Sequence, residues 1–334
     1  MYAKCGLIAK AQEVHDDLSI HDIVSWNALI GGYIRHGKGN EALGCFEHMQ
    51  LEGISPNVVT YVCSLQACGI LRHIDKGSEL HGEIMRIGLL ERDLIGNSLV
   101  DMYAKCGELA KAREVLRDLP IQDVVSWSAL IAGYAQLEKY DDALECFEQM
   151  KSEGVSPNEV TFISVLKACG NDKAIDIGKQ VHSEILSRGY LKGNIMLGNT
   201  LVDMYAKCGS LAKARQMLDM LPVRDVISWN SLIAGYAQHG QSGHVFRIFQ
   251  RMLINGVEPD LVSFAIILHA CSRMGLLKLS QTYFNVMSKD YGIIPTIDHH
   301  TSMVDLLGRV GQLDKAVIMI NKSPVSNHIA IWRR

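Results

Sequence analysis

Val124-Val-Ser-Trp-Ser-Ala-Leu-Ile-Ala-Gly-Tyr-Ala-Gln136 has two full counterparts in the chain, IVSWNALIGGYIR from Ile23 and VISWNSLIAGYAQ from Val226, and its opening returns as IAIW from Ile329. These copies hold all four tryptophans, Trp26, Trp127, Trp229 and Trp332, which stand 101, 102 and 103 residues apart. Such spacing marks one structural unit copied along the chain, and a fixed period outranks length as a guide to architecture. Inside the stretch, Trp127, Leu130, Ile131 and Tyr134 fall at i, i+3, i+4 and i+7, the spacing of one apolar helix face. Ser126, immediately ahead, is the expected cap.

Working outward, each super-repeat of about a hundred residues divides into three helical hairpins. The units run 23–57, 58–92 and 93–123, then 124–158, 159–194 and 195–225, then 226–260, 261–296 and 297–328, with 1–22 the tail of an earlier short unit and 329–334 a further start. In the first kind, Ala143, Phe147 and Met150 make the apolar stripe of the second helix. Gly53, Gly154 and Gly256 suit a left-handed C-terminal position, and Pro56, Pro157 and Pro259 prevent continuation. Thr60, Thr161 and Ser263 are the expected caps of the second kind. The short kind carries Asp-Met-Tyr-Ala-Lys-Cys-Gly at 101–107 and 203–209. Hairpins of this size bury a two-sided apolar surface only by stacking, so the expectation is an all-α, superhelical α-solenoid whose first helices line a concave face.

Composition narrows the function. A net charge of -3 gives no global footprint of a nucleic-acid binder, so any such binding rests on where the charges sit. No apolar run approaches the roughly 18 to 20 residues that span a bilayer, and no membrane partner is expected. Met1 aligns with Met102 and Met204, well inside a short unit, so the expectation is a fragment truncated at both ends.

Units of about 35 residues that end in Pro-Asn or Pro-Asp and open Val-Val-Ser-Trp or Val-Thr-Phe resemble the pentatricopeptide repeat. Their alternation of 35, then 35 to 36, then 31 residues resembles the plant PLS class, with P, L and S repeats in that order. The third triplet, with Tyr-Gly-Ile-Ile-Pro at 291–295 and Met-Val-Asp-Leu-Leu-Gly-Arg at 303–309, resembles the variant L and S repeats, and 329–334 the start of the extension motif. The resemblance implies a right-handed solenoid binding single-stranded RNA, one base per repeat, read by the fifth and last residues of each unit. The implied pairs are Asn27 with Asn57, Asn97 with Asp123, Ser128 with Asn158, Asn199 with Asp225, and Asn230 with Asp260. By the family's code they resemble readers of pyrimidine, uracil, adenine, uracil and uracil. Val24, Leu94, Val125, Met196 and Ile227, the second residues, are the implied wedges between bases, and Lys4, Lys105, Lys207 and Arg309 the implied phosphate contacts. The second-kind pairs, Val62 with Arg92, Ile163 with Asn194 and Ala265 with Thr296, have an apolar fifth residue and are expected to read little. Thr301 with His328 leaves its base open. The resemblance further implies organellar RNA processing in mitochondrion or chloroplast, most specifically site recognition for cytidine-to-uridine editing. A deaminase-bearing or other editing-complex protein is then the implied partner, and this stretch itself is expected not to be an enzyme. The alternative is a protein-binding scaffold of tetratricopeptide type, whose uniform 34-residue period this chain lacks.

Other chemistry fits less well. Eight of nine cysteines recur at repeat positions, among them Cys68, Cys169 and Cys271, and are expected as helix-packing thiols; no metal or other cofactor is expected. His81-Gly-Glu83 and His182-Ser-Glu184 match half of a zinc deaminase motif, but the Pro-Cys-x-x-Cys half is missing, so a helix-surface role is expected. Gly32 to Lys38 spells Gly-x-x-x-x-Gly-Lys, yet Gly39 replaces the magnesium-binding hydroxyl and no strand precedes it.

Overall fold

The computed structural model describes residues 2–18, 20–90 and 93–321, without the side chains of Lys4 and Asp93. Among the described residues there is no strand. A 3-10 turn at Tyr2–Lys4 precedes α1 (Ile8–Asp16). Hairpins then follow: α2 (Ile23–Arg35) with α3 (Gly39–Leu51), α4 (Val58–Leu71) with α5 (Ile74–Arg86), α6 (Asp93–Cys106) with α7 (Leu109–Asp118), and α8 (Val124–Gln136) with α9 (Tyr140–Ser152). After these come α10 (Glu159–Asp172) with α11 (Ile175–Ser187), α12 (Ile195–Lys207) with α13 (Leu211–Met220), and α14 (Val226–Gln238) with α15 (Ser242–Ile254). The last pairs are α16 (Leu261–Met274) with α17 (Leu277–Lys289), and α18 (Ile297–Arg309) with α19 (Leu313–Asn321). No described helix is long and apolar enough to cross a membrane. The starts at Ile329 and Trp332, and His328 and Arg92, lie outside the described residues.

The chain forms two compact units, Met1–Ala168 and Cys169–Arg334. Inside the first, α2, α4, α6 and α8 pack successively on one another, and α3 and α7 lie against the first helices on either side of them. Inside the second, α12, α14, α16 and α18 form the same succession, backed by α13, α15 and α17. The repeated apolar positions supply this packing: Trp127, Leu130, Ile131 and Tyr134 are all buried, as are Ala143, Phe147 and Met150 of α9. Burying a side chain the size of Phe147 stabilises by about 2–3 kcal/mol. The short units are short because α7 and α13 have 10 residues where α9 has 13.

Helix ends follow from particular residues. Gly154 has φ 78°, and Val155 N–H and Gly154 N–H donate back to Met150 and Lys151 carbonyls at 3.1 and 3.0 Å, satisfying two carbonyls that the helix end would orphan. The N-termini correct the sequence expectation. Helix α8 starts at Val124, three residues before Trp127, and its cap is Asp123, whose carboxylate accepts the Val125 and Ser126 N–H groups at 2.9 and 3.0 Å. Ser126 is the third helical residue. Thr60 and Ser263 hold the same third place behind the caps Asn57 and Asp260, in reciprocal capping boxes, and Thr161 donates its N–H to Asn158 at 2.9 Å. An acceptor-only carboxylate, or an amide oxygen, meets two helix N–H groups better than a hydroxyl further along the chain. The last residue of each of these units is therefore the cap of the next.

Candidate nucleic-acid interface

That capping role fixes the geometry of the implied reading pairs. Asn199 on α12 is 6% exposed and donates its amide to both carboxylate oxygens of Asp225 at 3.0 Å, while Asp225 accepts Ser228 N–H at 2.9 Å. Asn97 donates to Asp123 at 2.8 Å, Asn230 to Asp260 at 2.9 Å, and Asn27 to the Asn57 Oδ1 at 3.1 Å. A carboxylate only accepts, so the amides of Asn97, Asn199 and Asn230 must turn their NH2 groups toward the cap. The fifth residue of one helix and the last residue of its unit, 26 or 30 positions apart, thus form one rigid polar pair. Burial alone would raise the Asp123 and Asp260 carboxyls, but the N–H of Ser126 or Ser263 and the amide of Asn97 or Asn230 outweigh it and hold both below the usual carboxylate range.

Ser128 and Asn158 are not directly bonded. Thr161 stands between them, 2.6 Å from Ser128 Oγ and 3.0 Å from Asn158 Oδ1. Thr301 turns its hydroxyl onto the Ile297 carbonyl at 2.8 Å. In the second-kind units Val62, Ile163 and Ala265 are half-buried, Asn194 spends its oxygen capping α12 through Leu197 N–H at 2.9 Å, and Thr296 meets His299 Nδ1 at 2.7 Å.

The second residues stand in water. Val24, Leu94, Val125, Met196 and Ile227 are 69, 66, 53, 65 and 59% exposed, an unusual state for a regularly spaced apolar set. Three more share it: Val59, Val160 and Val262, at 51, 56 and 53%, belong to the second-kind units and could have been found by the same position count. The basic residues are not isolated. Lys105, Lys207 and Arg309 pair with Asp101, Asp203 and Asp305 one turn back, at 2.6, 2.9 and 3.0 Å. Asp305 also accepts the Ser272 hydroxyl. In the second unit α14, α16 and α18 bound a cleft of about 830 Å³ lined by Gln238, His269, Arg273, Thr301, Asp305 and Arg309. Lys4 lies in the opening 3-10 turn, and its side chain is outside the described residues.

The histidines depart from expectation. His182 is only 7% exposed, and its Nδ1 lies 2.9 Å from Tyr205 Oη; His81 meets Tyr103 at the same distance. They join the second helix of one hairpin to the first helix of the next. Burial, chiefly, lowers both imidazoles' pKa, with Lys213 adding to it at His182. Cys68, Cys169 and Cys271 are buried and their thiols pushed up to about 12, whereas Cys5 is exposed.

Models of the PPR repeat family match residues 21–69, 122–171 and 224–273, the pentatricopeptide repeat domain matches 254–309, and the PPR repeat matches 97–121 and 199–226. The chain belongs to the pentatricopeptide repeat family. Three relatives from Arabidopsis thaliana illustrate the likeness. A pentatricopeptide repeat-containing protein is 37% identical over 100% of this chain and 46% of its own length; one named as mitochondrial is 35% identical over 100% and 39%; and the chloroplastic protein CRR2 is 39% identical over 99% and 51%. The chain spans about half the length of the curated relatives it matches. Among solved structures, PPR10 in complex with an 18-nucleotide psaJ RNA element aligns with TM-score 0.77 at 20% identity, over 94% of this chain and 47% of that one. A further structure of PPR10 from maize aligns at 0.53 and 20%, over 99% and 59%. At these identities the likeness is one of fold.

Proposed function

We propose that this chain binds single-stranded RNA in organellar RNA processing and reads one base per repeat through the pairs Asn27–Asn57, Asn97–Asp123, Ser128–Asn158, Asn199–Asp225 and Asn230–Asp260. The observation that carries the reading is the locked amide-to-cap geometry in four of the five pairs, each in a unit with an exposed apolar second residue. Unstacked bases need these two things: polar groups of fixed orientation for their Watson–Crick edges, and apolar surface for their faces. Val24, Leu94, Val125, Met196 and Ile227 supply the second, with Val59, Val160 and Val262 extending the series. Lys105, Lys207 and Arg309 would contact the phosphates, each from an ion pair with the aspartate one turn back. The fold likeness to an RNA-bound PPR10 supports the reading, and the mitochondrial and chloroplastic names among the relatives support an organellar setting. The unequal repeat lengths further favour site recognition for cytidine-to-uridine editing, with the chemistry supplied by a deaminase-bearing or other editing-complex protein. On this reading the stretch binds and does not catalyse. Filter binding tests it: an oligonucleotide matching the five pairs should be retained at concentrations where its scrambled version is not, and equal retention would refute base reading.

A further inference from the structure

Two pairs have the same composition and different hydrogen bonding. In Asn199–Asp225 the hydroxyl of Ser228, third residue of α14, turns back onto the Asp225 backbone carbonyl at 2.8 Å. Asn199 Oδ1 is left buried with no hydrogen-bond partner. In Asn230–Asp260 the hydroxyl of Ser263, third residue of α16, lies 2.6 Å from Asn230 Oδ1 and gives that oxygen a partner. The proton must sit between those two atoms. Ser263 Oγ also lies 2.9 Å from Asp260 Oδ1, but with its one proton directed there, two oxygen lone pairs would face each other at the shorter distance. Orientation is not in doubt at either amide, since the carboxylate of the cap takes the NH2 side in both. Thr60 repeats the Ser263 arrangement, 2.7 Å from Asn27 Oδ1. Ser126 repeats that of Ser228, on the Asp123 carbonyl at 3.0 Å.

We infer that the third residue of the following repeat is a specificity-determining position, which sets whether the fifth-residue amide oxygen is without a partner or already bonded; this rests on the proposed base reading. Where the oxygen is open, as at Asn199, a base edge that offers an N–H completes it. A base without one leaves a buried acceptor stranded, which is the expensive case in hydrogen-bond exchange. Where Ser263 already occupies the oxygen, the wrong base strands nothing and the unit discriminates weakly. The Asn–Asp composition alone does not separate the two units.

The test uses the whole chain and fluorescence anisotropy with an RNA selected by that chain from a random pool. Asn199→Ala and Asn230→Ala identify the nucleotide facing each unit by the position where base preference collapses. In the unaltered protein, the ratio of best to worst base should be about tenfold larger opposite Asn199 than opposite Asn230, the size expected from one stranded buried acceptor. Ser263→Ala should raise the ratio opposite Asn230 several-fold while affinity for the selected RNA changes little. Ser263→Thr, which keeps the hydroxyl, and Ser228→Ala, which removes only a bond to backbone, should leave both ratios in place. Equal ratios in the unaltered protein, or an unchanged ratio in Ser263→Ala, overturn the inference while leaving base reading intact. If neither asparagine governs any nucleotide, base reading itself falls and the inference with it.

Discussion

Replacing Asp225 by alanine removes two interactions at once. The carboxylate caps α14 through Ser228 N–H at 2.9 Å, and losing such a cap costs about 1 kcal/mol. It also receives both bonds from the Asn199 amide. Asn199 is nearly buried, so its NH2 group would be left without a partner at a further cost of about 1–3 kcal/mol. The expected destabilisation of Asp225→Ala is therefore about 2–4 kcal/mol. Asp225→Asn is the control. Asn57 shows that one amide oxygen serves both tasks, accepting Thr60 N–H and the Asn27 amide at 3.1 Å each, so Asp225→Asn should cost less than about 1 kcal/mol. Urea unfolding followed by far-UV circular dichroism gives the two values, and amide exchange over α12 and α14 shows whether the loss is local to that hairpin contact. Equal costs for the two variants, or less than about 0.5 kcal/mol for alanine, would refute the claim that the reading pair is also the helix cap.

Other consequences can be checked in the same preparations. Gly235→Ala would place a Cβ 2.5 Å from the Ala206 Cβ and 3.2 Å from its Cα, where backbone cannot yield cheaply, so a loss of about 1–3 kcal/mol is expected in thermal or urea unfolding; Gly243→Ala, with open space around it, should show no such loss. Asp203→Asn frees Lys207 from its 2.9 Å partner and should steepen the dependence of log K on log salt by at most about 0.7, the contribution of one phosphate on a single strand; an unchanged slope would remove Lys207 from the interface. The imidazoles of half-buried His81 and of buried His182 and His299 have pKa values lowered from 6.5, so the unfolded chain takes up their protons first. Stability should therefore be full above about pH 6.5 and fall as the pH drops below it, before the carboxylates titrate. His182→Phe should flatten that decline, and a decline that begins only in the carboxylate range would contradict the assignment.

Much of the fold was legible because the same apolar spacing is written repeatedly, and Trp127, Leu130, Ile131 and Tyr134 lie where helical periodicity puts them. The helix starts were misplaced by three residues because Asp-Val-Val-Ser and Asn-Val-Val-Thr each offer two capping side chains, and only the backbone geometry shows that the first accepts the N–H groups. The bond from Asn97 to Asp123 depends on how one hairpin stacks on the next, which helical periodicity within a single hairpin does not specify. The Asp101–Lys105 pairing, by contrast, stood in plain view at an i, i+4 spacing. For His81 and His182 the missing half of the zinc motif leaves a helix-surface role as the expectation, and their burial against tyrosines is hidden because those partners come from the next hairpin. The difference between Ser228 and Ser263 is invisible in sequence, since both are serines three residues after an aspartate.

The most direct test of the central claim is the base preference of the unit 124–158. Ser128 and Asn158 there are joined only through Thr161, whereas Asn230 and Asp260 bond directly at 2.9 Å. The double variant Ser128→Asn, Asn158→Asp should convert the first arrangement to the second. Anisotropy titrations with RNAs that differ only at the facing nucleotide should then show preference moving from adenine to uracil, with the other positions unaffected. If the double variant folds and binds with its preference at that nucleotide unchanged, the fifth and last residues do not read the base.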